Sequence, residues 1–406
     1  MHRAAMIGWL VLAAALPAGA DEKTPNAKDP KDAVPSPVRF VLRRVGSFRS
    51  EACGVADFNK DGRLDIVAGP IWYEAPTWRP HKFRTLRGKV DEAGKGYHDD
   101  FANLPFDVDG DGRTDVVTCS WFARRIDWYR NTGPGGGDWP VTVADTGSNH
   151  ECGEVCDIDG DGKAREILPA TPGTHWLEAG TGKGAKGGLI RHNVSAKASP
   201  YGGGVGDVDG DGRPDIVRPD VWYQAPADAR KGKWTPHPLA VGGTADGRAD
   251  HTPQILVYDV DADGHNDLVT STAHNYGIYW YRQVRTGKKI TWKRHVIDKS
   301  WSQPHSLALA DIDGDGDLDL VAAKRFLAHN GGDPGAKEPL GVYWYELKRA
   351  RDPKWIKHVI TYGKGIGSGV NLVAVDLDGD GDVDVVVTGK WGGPVVFENQ
   401  RKSPKR

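Results

Sequence analysis

Apolar positions along the chain fall in short runs separated by polar, glycine-rich turns, and from residue 57 onward one succession of runs recurs seven times. In the sixth round, a run from Ser306 to Ala310 leads into an aspartate-rich stretch and an aliphatic run from Leu318 to Ala322 leaves it. An aromatic run from Gly341 to Leu347 and a Trp-x-x-His-x-Ile run from Trp355 to Ile360 complete the round. Short β-branched and aromatic runs bounded by turn residues predict strands, four to a round. The aspartate-rich stretches begin at Asp57, Asp107, Asp157, Asp207, Asp259, Asp311 and Asp376, with spacings of 50, 50, 50, 52, 52 and 65 residues. That period suits one four-stranded blade, so an all-β, seven-bladed β-propeller is expected.

The last round stops after its third strand, at Val395 to Gln400, while a run from Phe40 to Val45 stands unclaimed before the first round. The N-terminal strand is therefore expected to complete the last blade and close the ring, which removes an open sheet edge. Tryptophans recur in register at Trp72, Trp128, Trp176, Trp222, Trp280 and Trp344. Recurrence in nearly every blade points to packing between neighbouring sheets rather than to sugar platforms.

Composition agrees, with 53 Gly, 26 Pro and 15 Trp against two Met, the balance of short strands joined by tight turns. The formal net charge of −2 gives no support to a nucleic-acid partner or an anionic membrane surface. Residues 1–20 read as an export signal: His2 and Arg3, an apolar run from Ile7 to Leu16, then Ala18-Gly19-Ala20. No later stretch approaches the length of a membrane span, so an exported chain, periplasmic or extracellular, is expected. Residues 21–37 are rich in Pro and Lys and read as a disordered tether, 38–400 as the propeller and 401–406 as a basic tail.

The aspartate-rich stretches follow D-x-D-x-D-G-x-x-D, with carboxylates at positions 1, 3, 5 and 9 and the carbonyl of position 7 between them. Such an oxygen cage suits a hard cation, and Gly at position 6 allows the sharp turn. The expected calcium ligands are Asp57, Asn59, Asp61 and Asp65 in the first loop and Asp107, Asp109, Asp111 and Asp115 in the second. The fourth loop offers Asp207, Asp209, Asp211 and Asp215, and the fifth Asp259, Asp261, Asp263 and Asp267. The sixth offers Asp311, Asp313, Asp315 and Asp319, and the seventh Asp376, Asp378, Asp380 and Asp384. The third departs: after Asp157, Asp159 and Asp161, position 9 is Arg165, and either a one-residue bulge brings in Glu166 or the site is weak or empty. An EF-hand would carry Glu at position 12, where these loops have Ala68, Thr118, Ala322 or Val387, and helices on both sides. Up to seven structural calcium ions are expected, because unneutralised clusters of this kind repel one another.

These loops at blade-length spacing resemble the FG-GAP or VCBS repeat propellers over residues 38–400, a motif specific for fold and uninformative for function. The Trp-Tyr-x-x-Pro runs at Trp72 to Pro76 and Trp222 to Pro226, with the Trp292 to Ile297 run, are also similar to the propeller domain of aldos-2-ulose dehydratase. That fungal family's enzyme eliminates water from keto-sugars, so the resemblance implies a carbon–oxygen lyase. Its cupin-type partner domain has no counterpart here.

Blade topology sorts the thirteen histidines beyond the signal. His81, His192, His237, His295 and His358 share one place in the fourth strand and read as architectural, while His265 lies in an aspartate loop and His175 in a third strand. His98, His150, His251 and His305 fall in crossovers between blades, and His274 and His329 in loops from second to third strands. All six therefore belong to the face opposite the aspartate loops, together with Asp99, Asp100, Glu151, Asp250, several cations and several aromatics. A central pocket for a polyhydroxylated ligand is expected, in which His150, His251 and His305 act as bases or hold a zinc-like ion and Arg325 stabilises charge. His98, Asp100, Glu151, Tyr201, His274, Lys324 and Trp391 are the expected ligand contacts. Cys119 is placed to pair with Cys152 or Cys156, which leaves Cys53 free. The leading expectation is a metal-assisted carbohydrate lyase or dehydratase acting on a keto-sugar or related glycoside; the competing one is a non-catalytic glycan- or protein-binding propeller.

Overall fold

The computed structural model describes residues 30, 32–133, 137–180, 188–242 and 248–401, so the expected export signal lies outside the described residues. Seven four-stranded antiparallel sheets follow one another along the chain, beside one two-stranded ribbon of Gly88–Val90 and Gly96–His98. Blade one is typical, with strands Cys53–Ala56, Asp65–Ala68, Ile71–Glu74 and Arg79–Lys82 in spatial order. Blade seven takes Leu372–Val375, Asp384–Val387 and Gly393–Asn399 from the end of the pattern and Phe40–Phe48 from its start. Phe40 pairs with Asn399 and Arg44 with Val395, so the N-terminal strand closes the ring as its sequence suggests.

The core is divided among the blade interfaces. Ile66 and Tyr73 of blade one pack with Val386 and Val396 of blade seven on one side. On the other, Val67 and Trp72 pack with Val116 of blade two. Equivalent clusters join blades two to three, three to four, four to five, five to six and six to seven. Each sheet thus buries both faces, which explains strands that are buried throughout, such as Asp384–Val387, whose three valines follow the loop aspartate.

The recurrent histidines have a structural task. His81, His192, His237, His295 and His358 sit directly across from Trp72, Trp176, Trp222, Trp280 and Trp344, with stacked rings 4.0–4.5 Å apart. In three of the blades the ring's Nε2 also meets a carboxylate two residues beyond the Trp: Glu74 at 2.6 Å, Glu178 at 2.9 Å and Glu346 at 2.8 Å. The pair fixes the third strand against the fourth in these five blades.

Inner strands of neighbouring blades approach closely around the axis, and Gly204 shows how closely. A Cβ there would fall 1.7 Å from the carbonyl oxygen of Ile255 in the next blade, a backbone atom with no freedom to give way. Gly204→Ala is expected to cost about 1–3 kcal/mol through overpacking. Gly188→Ala, whose Cβ meets nothing within 4 Å, should leave the thermal midpoint where it is, and equal midpoints for the two variants would disprove the close-approach reading.

Two expectations need correction. Part of the expected tether is docked: Val34 donates its N–H to the Lys357 carbonyl at 3.1 Å, and Ser36 Oγ accepts from Trp344 Nε1 at 3.1 Å. The outer strand of blade six leaves its backbone unpaired, and such an edge recruits passing chain. All four cysteines are free, so the pairing expected of Cys119 is not formed.

Candidate functional site

The aspartate loops share one architecture. The first aspartate accepts the N–H of the glycine at position 6 in all seven, as in Asp57 to Gly62 at 2.9 Å and Asp376 to Gly381 at 3.0 Å. Those glycines have φ between 79° and 96°, which any other residue would adopt at a cost. Position 9 goes inward and is buried. One of its oxygens accepts the N–H of position 2, for example Asp319 from Ile312 at 3.2 Å, and the other accepts an N–H near the end of the third strand, from Leu347 at 2.8 Å. Burial pushes these carboxyls up, to about 6 at Asp65 and Asp115 and about 8 at Asp319. In the third loop Glu166 pairs with Cys156 in the register that aspartate holds elsewhere, and it accepts the Ile158 N–H at 2.9 Å. The loop is one residue longer and the carboxylate is restored. Oxygen atoms of Asp107, Asp109 and Asp115, of Asp157, Asp159 and Glu166, and of Asp207, Asp209 and Asp215 lie within 4.8 Å of one another. An oxygen-only donor set of this kind fits calcium.

At the opposite face a cavity of about 490 Å³ opens on the axis. Its walls come from blade crossovers, which bring Tyr97, Phe101, Glu151, Tyr201 and His251, and from loops between second and third strands, which bring Trp121, Phe122, His274, Arg325, His329 and Asn330. One wall is aromatic: Tyr97, Phe101, Phe122, Trp121 and Tyr201 form a chain of ring contacts 5.2–6.4 Å apart. It stands on buried Ala52 and Val370.

The other wall is polar and densely connected. The Arg325 guanidinium donates through Nη1 to Glu151 Oε1 and to His305 Nε2, both at 2.9 Å, and its Nε lies 3.4 Å from Glu51. Burial opposes the charge on Arg325, but Glu51 and Glu151 outweigh it and hold the group protonated. Burial also opposes ionisation of Glu151, yet His305 and Arg325 keep its pKa well below the usual carboxylate range. Lys390 stands 3.7 Å from Glu51 and 3.7 Å above the Tyr97 ring, and burial lowers its pKa to about 8. Asp333 meets His274 Nδ1 at 3.0 Å and His329 Nδ1 at 2.8 Å; against the effect of burial, those two bonds bring its pKa down to about 2. The loop carrying His329 is tied in place by Lys390, which donates to the Leu327 carbonyl at 2.9 Å.

At this face two groups among the described residues bring histidines together with a carboxylate. Glu151, His274 and His305 converge, but the Arg325 guanidinium already stands between Glu151 and His305, so a second cation does not fit there. His274, His329 and Asp333 offer two imidazoles and a carboxylate at the cavity edge with no cation among them, a donor set that suits a zinc-like ion.

Of the expected site residues, His251, Glu151, Tyr201, His274 and Arg325 line the cavity, and His305 lies behind Glu151. His251 is not placed as a base. Its Nδ1 accepts the Tyr201 N–H at 3.0 Å, which puts the ring's own proton on Nε2 as a donor. His150, His98, Asp100, Lys324 and Trp391 do not line the cavity. His150 is fully buried with both nitrogens unbonded, and burial lowers its pKa to about 4. His98 packs on Phe48, Asp100 pairs with Arg84 at 2.5 Å, Lys324 donates to the Ser302 and Gly335 carbonyls at 3.0 Å, and Trp391 packs on the core between blades six and seven. The reason is alternation along extended chain: where Tyr97, Phe101, Glu151 and Arg325 face the cavity, their neighbours His98, Asp100, His150 and Lys324 point away.

Glu51, Asp333 and the rings of Phe101, Trp121 and Phe122 were not anticipated, although the repeat itself carries a signal for most of them. Glu51, Phe101, Glu151, Tyr201 and His305 each stand six residues before the first aspartate of their loop, and Trp121, Arg325 and Lys390 each stand fourteen after it.

Residues 107–164 and 259–322 match the family model described as FG-GAP-like repeat, so the chain carries FG-GAP-like repeats. No curated protein matches the chain in sequence. The crystal structure of BBS1N in complex with ARL6DN, soaked with lead, is similar at a TM-score of 0.55 and 10% identity, covering 92% of this chain and 100% of that one. The exotype rhamnogalacturonan lyase YesX is similar at a TM-score of 0.46 and 12% identity, covering 90% of this chain and 75% of that one. At such identities the likeness concerns the fold.

Proposed function

We propose that this seven-bladed ring of FG-GAP-like repeats is an exported, calcium-stabilised, metal-assisted carbohydrate lyase or dehydratase that acts on a keto-sugar or related glycoside at the channel mouth. The observation that carries the reading is a cavity with two unlike walls, aromatic rings on one side and His251, Glu151, His274, His329 and Asp333 on the other. Aromatic faces stack on sugar rings, while convergent polar groups fix orientation and exchange protons.

His274, His329 and Asp333 would hold the ion, whose chemistry would be to polarise a carbonyl and so acidify the neighbouring C–H. Glu151, ionised and anchored by Arg325, is the carboxylate that takes the proton. His251 steadies the departing hydroxyl with a hydrogen bond from its Nε2–H, and the proton taken up by Glu151 passes to that hydroxyl, so the two leave together as water and Glu151 returns to its ionised form. A second reading, a glycan-binding module without turnover, is favoured by the anchoring of Glu151, because a carboxylate this well paired is a weak base.

The test is metal analysis of the purified chain together with a keto-sugar screen followed by enone absorbance. Asp333→Ala and His329→Ala should lose both a transition metal and turnover. His251→Ala should lose turnover and keep the metal, and His358→Ala, in the Trp–His stack, should cost stability alone. Calcium as the sole metal, with no turnover across the screen and retention on a glycan array, would establish the binding module instead.

A further inference from the structure

Blade five ends in a hairpin unlike those of its neighbours. Its third and fourth strands, Tyr276–Thr286 and Lys289–Ser302, run to 11 and 14 residues, against four and four in blade four, and pairing continues to Thr286 opposite Lys289. Between Arg282 and Ile297 the hairpin carries Arg282, Arg285, Lys288, Lys289, Lys293 and Arg294 and no acidic residue. A chain of net charge −2 has concentrated cations on one projecting element.

The hairpin also forms one side of a cleft of about 1070 Å³, larger than the cavity on the axis. Strand alternation turns Arg285, Ile290, Trp292 and Arg294 toward blade four, where the stacked Trp222 and His237 form the facing side. Among the described residues one acidic side chain lines it: Asp209, which belongs to the fourth aspartate loop and receives the Gln224 amide. Lys288 and Lys289 at the tip are exposed, and Trp292 and Ile290 are half-buried beside them.

We propose that this cleft binds an anionic polysaccharide through uronate carboxylates, at a site separate from the channel mouth. The paired strands from Tyr281 and Arg294 to Thr286 and Lys289 extend roughly 17–20 Å, enough for several linked sugar rings. Cations two to four positions apart along a strand lie about 7–14 Å from one another. A duplex nucleic acid, with one charge per ~1.7 Å, is poorly matched by so sparse a row. A chain with one carboxylate per ring and apolar ring faces matches both the cations and the Trp292 and Ile290 surface.

The experiment is binding of the full mature chain to polygalacturonate at low ionic strength, with neutral dextran, heparin, duplex DNA and anionic lipid vesicles as separate arms. Polygalacturonate should bind and dextran should not. Lys288→Glu combined with Lys289→Glu should weaken binding at least tenfold with an unchanged thermal midpoint, while His329→Ala at the channel mouth should leave it intact. Absence of polygalacturonate binding, preference for heparin, DNA or vesicles, or full binding by the charge-reversed variant would each overturn the proposal. None of these results depends on whether the axial cavity turns over a sugar.

Discussion

Asp319→Ala should destabilise the protein by about 4 kcal/mol, because each buried donor left without an acceptor costs about 1–3 kcal/mol and this carboxylate serves two, the N–H groups of Ile312 and Leu347. The residue is fully buried, so water cannot take over either bond. In thermal unfolding the loss should appear as a fall on the order of 5–10 °C. Asp311→Ala, at the half-buried start of the same loop, should cost less, and most of its cost should be calcium affinity. Chelation is therefore the discriminating condition. Strong chelator should lower the wild-type midpoint and excess calcium restore it, since an ion that binds only the folded chain stabilises it by mass action. In chelator Asp311→Ala should converge on wild type while Asp319→Ala stays lower. A midpoint indifferent to chelator would remove calcium from the account, and convergence of both variants would reduce position 9 to a ligand. Because Glu166 restores the third loop, Asp157→Ala and Asp311→Ala are expected to behave alike.

Arg325→Met should cost about 3–5 kcal/mol, since removing one partner of a buried ionic group leaves the other charges uncompensated. Arg325 is 2% exposed and stands between Glu51 and Glu151; the Glu51 carboxylate accepts no hydrogen bond and depends on Arg325 and Lys390 for compensation. Arg325→Lys should rescue little, as a single ammonium cannot span Glu151, His305 and Glu51 together. In an Arg325→Met background, Glu151→Gln should recover part of the loss, giving a coupling in a double-mutant cycle measured by thermal or denaturant unfolding. A variant as stable as wild type, or strictly additive losses, would show that the group contributes nothing through charge.

The fold was legible because it is written seven times. Seven near-copies of one pattern fixed strand number, blade period and ring closure, and the absence of a fourth run after Gln400 matched the unclaimed run at Phe40. The face of the cavity followed from the same topology, and so did the separation of stacked histidines such as His81 and His358 from His251 and His274. What the repeat does not settle is which of two adjacent residues turns inward, and His150 was preferred over Glu151 and Lys324 paired with Arg325 for want of that parity. Asp333 was missed for another reason. It lies in the extra chain that lengthens the sixth round to 65 residues, outside the repeated positions, and nothing in the repeat dictates that this segment folds over the channel mouth. The backbone-acceptor task of position 9 was hidden as well, since an expected calcium ligand and a buried backbone acceptor call for the same aspartate.

Ring closure also sets an order in time. The strand Phe40–Phe48 emerges from the ribosome about 350 residues ahead of its partner Gly393–Asn399, a delay on the order of tens of seconds at ordinary rates of synthesis. Blades one to six can gather as they emerge, but the contact of blade one with blade seven waits for Gly393–Asn399. Until then Ile66 and Tyr73 face water instead of Val386 and Val396. The nascent chain is thus kept from sealing prematurely, and any chain cut short of Gly393 is left with a permanently open seam for proteases to enter.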